Sequence, residues 1–507
     1  MQPHKDITMN PAVSKRSVTL QGGVWMICMS VVLLEGCTVG PRYKPPVAQA
    51  PPAFKEAFPQ QGPDGTVWTP ASPADSQLKG NWWEIYQEPE LNELETRLNT
   101  SNQNIAQSFQ NFMAARALVR QARSNYFPSV TVGPSYTRSR SSENESQSLA
   151  GINPNSNDFS LPFDVSWQPD VWGRVRNTVR QNANAAQVSA ADLANEKLSE
   201  QANLAIYYFQ IRGQDAQIDL YQRTIDTYQK TLNLTRTLNT TGIQSQQAVA
   251  QADLNLKVAQ SSATNLKIAR AQYEHAIALL IGQSASTFSL PAKSLTTAAP
   301  SIPIGLPSQL LERRPDIAAA ERTMAQANAL IGVQTAAFYP TFSIGGDAGL
   351  QSATLANWFA WPSRFFSVGP SASQVLFDAG ARRATLANYQ AQYDADVAGY
   401  RQTVLTAFQQ TEDALAAQRL LAEQIQQQQE AIQAAQHYLD LATTLYKAGV
   451  DSFLDVFTAE TSLLTQQQTG VTLRTQQMTS NVQLIEAVGG GWNTTQLPSE
   501  HEVAAKR

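Results

Sequence analysis

Few side chains in this 507-residue sequence are spaced to do chemistry, and the plainest case is Cys37. It closes the run Leu34-Glu35-Gly36-Cys37, which resembles a bacterial lipobox: a branched residue, two spacers, then the cysteine that takes an S-diacylglyceryl group and an N-acyl chain. The other cysteine, Cys28, lies upstream, so a chain cleaved before Cys37 has no partner for a disulfide and must be held by packing and hydrogen bonds. A second set is Tyr446, Asp451 and Asp455, a phenol and two carboxylates around the turn Ala448-Gly449-Val450. Downstream of Cys37 the histidines are His275, His437 and His501, too far apart for a His-Cys-Asp metal site. There is no phosphate-cradling Gly-Lys-Ser loop and no Gly-x-Ser-x-Gly elbow. The sequence therefore reads as that of a non-enzyme, with no metal and no cofactor beyond lipid on Cys37.

The elements that carry these residues begin with a targeting segment. Lys15 and Arg16 precede an apolar run from Val24 to Leu34. That run is too short for the roughly 20 residues of a membrane span but suits a signal-peptide core, so residues 1–36 are predicted to be a signal peptide. Residues 37–80 open with Cys37-Thr38-Val39-Gly40-Pro41-Arg42-Tyr43-Lys44-Pro45-Pro46, the composition of an extended, lipid-tethered arm. A formal charge of −4 without a basic block argues against a nucleic-acid partner. No later stretch approaches the apolar length of a membrane helix, so any crossing must use β-strands.

Residues 382–447 contain no proline and one internal glycine, Gly399. At ~1.5 Å per residue an unbroken helix over this span is roughly 100 Å long. Residues 174–239 have the same length, with Gly213 inside. Each span is followed by a glycine turn, Thr241-Gly242-Ile243 or Ala448-Gly449-Val450, and glycine supplies the dihedrals of a helix C-terminal cap. Gly173 and Gly380, and Gly242 and Gly449, are both 207 positions apart; Phe127-Pro128 and Tyr339-Pro340 are 212 apart. An internal duplication follows. The copies are residues 81–281 and 309–488, with return helices at 245–281 and 452–488. Residues 282–308 link the copies and 489–507 form a tail. Within the second copy residues 315–337 read as a helix, Pro315 opening its first turn and Arg313 and Arg314 forming salt bridges nearby.

Before each long span, short segments alternate. In residues 129–138, Val130, Val132, Pro134 and Tyr136 share one face; in 159–167, Phe159, Leu161, Phe163, Val165 and Trp167 do. The second copy supplies 341–350, with Phe342, Ile344, Ala348 and Leu350 outward, and 366–377. Period two over ~9–11 residues, apolar on one side and small and polar on the other, is the pattern of membrane-barrel strands. Residues 139–158 read as a solvated loop; 351–364 carry Trp358 and Trp361, suited to headgroup depth. Four strands cannot close a barrel, and open edges in lipid cost several kcal/mol per backbone group, so several chains must share one. The helices carry stripes at alternating spacings of three and four, such as Tyr393, Val397, Tyr400, Val404 and Ala407, as coiled packing requires. Leu405, Phe408 and Leu415 lie off that stripe, which suits a helix gripping neighbours on both flanks in the wall of a tube.

Several motifs then occur in order: Asn81-Trp82-Trp83; Trp167-Gln168-Pro169-Asp170-Val171-Trp172-Gly173-Arg174; Leu310-Leu311-Glu312-Arg313-Arg314-Pro315-Asp316-Ile317; Ala329-Leu330-Ile331-Gly332-Val333; Phe377-Asp378-Ala379-Gly380; and Ala487-Val488-Gly489-Gly490-Gly491-Trp492. With Cys37 to Pro46 before them, the chain resembles the outer-membrane efflux factors of the TolC-like family, in their lipoprotein branch. The resemblance implies a mostly α fold with membrane β: a homotrimer whose twelve-stranded β-barrel continues as a periplasmic α-helical barrel, with an equatorial belt. It implies an outer-membrane location, lipid-anchored and spanning. It further implies a passive exit duct for drugs and toxic organic compounds, served by a periplasmic adaptor and an inner-membrane resistance–nodulation–division pump. Thr241, Gly242, Ile243, Ala448, Gly449 and Val450 would then meet the adaptor. Tyr446, Asp451 and Asp455 would constrict the pore, where copies of one carboxylate around an axis favour cations. Leu238 and Gln247 stand in the first copy where the second has Tyr446 and Asp455.

Overall fold

A computed structural model describes residues 38–46, 50–56, 80–142, 155–302 and 307–505. The signal run, Cys37 and much of the arm lie outside the described residues. The chain divides into two compact units.

The first unit, up to Pro41 with Asn125–Asn177 and Gly332–Arg383, carries the sheet. Its strands are β1 (Ser129–Val132), β2 (Ser135–Arg140), β3 (Asn155–Trp167), β4 (Thr341–Ser352) and β5 (Arg364–Ser373). All pairings are antiparallel, with β1 and β2 both on β3, then β4, then β5. β1 and β2 are two parts of the strand predicted over 129–138. Gly133-Pro134 interrupts the ladder because proline has no N–H to donate, yet Val132↔Phe163 and Tyr136↔Phe159 keep one register across the gap. The loop predicted over 139–158 gives up its ends to pairing, out to Arg140↔Asn155, so β3 starts earlier than predicted. The last strand occupies Arg364–Ser373, not 366–377. β4 starts after Pro340 and its pairing ends at Thr341↔Ser373, which leaves Val375, Leu376 and Phe377 no strand to join.

This register sorts the side chains onto two faces. Val130, Tyr136, Phe163, Ile344, Leu350 and Val368 lie on one, and serine, threonine, glycine and aspartate dominate the other. On the polar face Ser343 and Ser371 hydroxyls meet at 2.7 Å and Gln351 donates to Asp158 at 3.0 Å. The apolar face is open, with Phe366 at 83% and Val368 at 74% exposure. The first described residues of the arm are built into this unit. Val39 N–H donates to the Trp172 carbonyl (3.1 Å), Asn177 Nδ2 donates to the Val39 carbonyl (3.3 Å), and Trp172 stacks on Tyr339.

The second unit, Arg42–Ser124, Thr178–Ile331 and Ala384–Arg507, is helical. In chain order the helices are α1 (Pro89–Ser101), α2 (Gln103–Ser124), α3 (Arg174–Thr240), α4 (Gln246–Leu280), α5 (Pro307–Arg313), α6 (Pro315–Ala336), α7 (Ala381–Lys447), α8 (Phe453–Ala487) and α9 (Glu500–Ala504). α3 and α7 are 67 residues each and begin in the first unit. The largest core cluster joins Trp82, Tyr86 and Leu98 to Tyr208, Phe209 and Ile211 of α3 and to Ile277, Met478 and Val482. The linker between the copies is fastened by charge. Buried Arg212 donates to Glu90 (2.5 Å) and to the Pro291 carbonyl (2.7 Å); Arg270 pairs with Asp215 (2.6 Å) and Lys293 with Glu88 (2.7 Å). Arg314 pairs with Asp316 at 2.7 Å and donates to the Ala487 carbonyl. The arm is held here too: Phe54 is buried against Leu310 and Leu415, and Glu56 pairs with Arg419 at 2.6 Å.

Gly213 does not break α3. A β-carbon there would lie 2.8 Å from Thr475 Cγ2 on α8, so the glycine sets how closely the two helices approach. Gly213→Val should lower the melting temperature of the purified protein through overpacking of about 1–3 kcal/mol. Thr475→Ala in the same chain should restore part of that loss; no recovery would place the strain elsewhere.

Candidate functional site

The two helix-to-helix turns are built alike. Gly242 and Gly449 take left-handed φ values of 76° and 72°. Ile243 N–H reaches back to the Leu238 carbonyl (2.9 Å) and Val450 N–H to the Leu445 carbonyl (3.0 Å). Each is the six-to-one bond of a Schellman cap, which consumes a carbonyl that the ending helix leaves open. Serine then starts the return helix: Ser245 Oγ accepts from Ala248 N–H at 3.2 Å, and Ser452 forms a capping box with Asp455. Ile243 and Val450, 69% and 74% exposed, stand out at the two turns. Thr241 donates its hydroxyl to the Leu238 carbonyl, while Ala448 donates its N–H to Thr444 and Gly449 its own to Tyr446.

Matching glycine to glycine and cap to cap corrects the pairing of the copies. Asn239 is the counterpart of Tyr446 and Ala248 that of Asp455, rather than Leu238 and Gln247. The shared left-handed glycines and serine caps fix this register. Asn239 Nδ2 closes its own turn on the Gln244 carbonyl at 2.8 Å, where Tyr446 instead reaches across. The Tyr446 hydroxyl accepts from Gln244 Nε2 at 3.2 Å, joining the two turns, and its ring meets Phe453 edge-on at 5.9 Å.

The carboxylates differ in role. Asp455 accepts from the Ser452 hydroxyl (2.5 Å) and N–H (3.3 Å), and the hydroxyl bond, foremost, holds its pKa below the ordinary range. Asp451 accepts from the same N–H at 3.2 Å. Tyr446, Gln244 and Phe453 thus come together, as do Asp451, Ser452 and Asp455.

Sequence reasoning passed over Glu460. It lies on α8 beside the buried Val456 and Ala459, and burial pushes its carboxyl up to about 7. It also contributes to the raised Tyr228 hydroxyl on α3, whose main cause is burial. A glutamate one residue past two small apolar positions on a helical stripe was the available signal. Among the described residues no group of three His, Cys, Asp or Glu is placed to hold a metal ion, and no helix is long and apolar enough to cross a membrane.

A carboxyl raised above its unfolded value favours the protonated fold, so its contribution is full below pH ~4.5 and is lost as pH rises through about 7. The melting temperature should therefore fall between pH 5 and pH 8, and Glu460→Gln should flatten that fall. An unchanged slope in the variant would assign the pH dependence to another group.

The chain thus joins an antiparallel sheet, apolar on one open face and polar on the other, to two 67-residue helices. The description "outer membrane efflux protein" belongs to the family whose pattern matches residues 96–283 and 306–490, and the chain belongs to that family. It is 32% identical over 473 residues to the toluene efflux pump outer membrane protein TtgC of Pseudomonas putida, covering 92% of this chain and 95% of that one. It is 27% identical over 483 residues to the cation efflux system protein CusC of Escherichia coli O6:H1, covering 92% and 98%. Among solved structures it is similar to the outer-membrane channel OprN, with a TM-score of 0.81 and 27% identity, covering 90% of this chain and all of that one. The TolC-like fold and the outer-membrane location stand on these likenesses.

Proposed function

We propose that this chain is the outer-membrane exit duct of a tripartite efflux system. Three copies share one β-barrel and one helical conduit, anchored by lipid on Cys37. The observation that carries this reading is the sheet itself. Among the described residues its register puts every apolar strand residue but Phe365 and Pro162 on one face and leaves β1–β2 and β5 as unpaired edges, which further copies can close within lipid. The exposed turns around Thr241, Gly242, Ile243, Ala448, Gly449 and Val450 meet a periplasmic adaptor, which hands over cargo from an inner-membrane resistance–nodulation–division pump. Cargo is small: drugs and toxic organic compounds, in keeping with the toluene named for TtgC. The duct is passive and carries out no catalysis.

Tyr446, Asp451 and Asp455 constrict the pore, and the Gln244–Tyr446 bond holds the two turns of a protomer together. In planar bilayers the purified protein should give cation-preferring channels. Gln244→Ala should raise the mean passive current about fivefold, the shift expected from losing one hydrogen bond of about 1 kcal/mol. Asp451→Asn should move the reversal potential in a salt gradient toward zero. An absence of conductance would end the duct reading, whereas wild-type currents in both variants would relocate the constriction.

A further inference from the structure

The two copies repeat their strand pairing as well as their pattern. Shifting β1–β2 by 212 positions and β3 by 207 carries Ser129↔Ser166 onto Thr341↔Ser373 and Tyr136↔Phe159 onto Ala348↔Phe366, and all four pairs are present in the sheet. The corner beside each hairpin repeats with the same shifts. Trp167 Nε1 donates to the Tyr126 carbonyl at 3.0 Å, and Gln374 Nε2 donates to the Phe338 carbonyl at 3.2 Å. Where the first copy meets the second, β3 lies on β4 through pairs such as Ser160↔Gln351 and Asp164↔Asp347. There the loop after β3 leans on the corner before β4: Trp172 stacks on Tyr339 at 4.8 Å, and its Nε1 donates to the Pro340 carbonyl at 2.8 Å. Among the described residues the far side of the second copy has no such joint. β5 and β1–β2 are the edges of the sheet. Leu376 and Phe377, in the loop after β5, are 91% and 86% exposed, and Phe127, in the corner before β1, is 73% exposed.

We propose that the β3–β4 joint recurs between protomers, so that β5 pairs with β1–β2 of a second copy in one fixed register: Ser371 opposite the partner's Ser135, and Ser367 opposite the partner's Ser139. The proposal rests on the shared-barrel reading above and supplies its interface. The same shifts turn Asp164↔Asp347 into the first of these pairs and Ser160↔Gln351 into the second. They also set Pro370 beside the partner's Tyr136 and Ala372 beside the partner's Pro134, which keeps apolar side chains together. A slip of one residue would turn every side chain of β5 against the wrong face. At the corner, Leu376 and Phe377 come to the partner's Phe127 and Pro128, as Trp172 comes to Tyr339 and Pro340 within the chain. Counted back from the glycine, Ala379 stands where Trp172 does, so the ring for this corner comes from Phe377 in the same loop. Identical head-to-tail joints of this kind close into a ring when their rotation closes.

Cysteine pairs in the full-length protein, purified in detergent, read this register. Ser135→Cys with Ser371→Cys, and Ser139→Cys with Ser367→Cys, should each give covalently linked dimers and trimers on oxidation or with a short bis-thiol reagent, because directly opposed Cβ atoms lie ~4.5–5.5 Å apart. The swapped pairs, Ser135→Cys with Ser367→Cys and Ser139→Cys with Ser371→Cys, are displaced by four residues, ~13 Å along the strand, and should give none. Each single-cysteine variant sets the background, and native mass spectrometry of the same preparations counts the copies. The register is overturned if the swapped pairs link as readily as the matched ones. A trimer by mass with no link in either matched pair contradicts the register alone, whereas a monomer by mass overturns the shared barrel and the register with it.

Discussion

The structure depends on one constraint: a backbone N–H or C=O in lipid must find a partner. β3 and β4 meet it from both sides, while β1–β2 and β5 each turn one row of groups outward. In water such edges invite aggregation; in a bilayer each unpaired group costs several kcal/mol. The apolar face cannot be rescued by folding inward, because the helices of this chain already have cores of their own, filled by residues such as Trp82, Phe209 and Leu415. On the proposed duct reading, self-association answers to hydrogen bonding, and hydrophobic burial decides only which face looks toward lipid.

The second constraint is length. A 67-residue helix gains little from propensity alone, since most helical stability in proteins comes from packing along an apolar stripe. α7 meets this with small residues: Ala407, Ala414, Ala435 and Ala442 are buried along it at multiples of seven. Gly213 serves α3 in the same way against Thr475. Bulk is concentrated where the linker crosses, and there buried Arg212 gives its two Nη groups to carboxylates and a carbonyl together, while its Nε has no partner among the described residues. Such networks are costly to break on one side only, and they hold the linker alongside the apolar packing of Phe288, Leu290 and Leu295.

Much of this was legible in the sequence because periodicity is a direct image of geometry. Alternation in Phe159 to Trp167 and the proline-free spans around Gly213 and Gly399 translate at once into strands and long helices. The failures have equally local causes. Residues 375–377 are an apolar run but have no strand to pair with among the described residues, since pairing is set by where β4 begins and not by hydropathy. Asn155 to Asp158 look like loop by composition yet pair with Arg138 and its neighbours, because a ladder propagates by backbone bonds that polar side chains do not forbid. The Gln244–Tyr446 bond was invisible for another reason: it joins residues of two turns about 200 positions apart in the chain.

Duplication explains why the two turns share a frame, and divergence explains why they do not share a task. The Schellman bonds, the left-handed glycines and the serine caps recur in both, since each answers the same need to end one helix and start another within a few residues. What differs lies outside that frame. Asn239 spends its amide on its own turn, whereas Tyr446 projects a longer side chain that reaches Gln244 of the other turn. Ala248 gives the Ser245 cap only its backbone N–H, whereas Asp455 closes a capping box with its side chain and so fixes a negative charge at the start of α8. The charge is therefore held by the same bonds that start the helix, and it cannot be moved without loosening that start. Charge and reach have accumulated in the α7–α8 turn and the first turn has kept the bare frame, so any movement that opens one turn relative to the other must break a contact supplied mainly by the second copy.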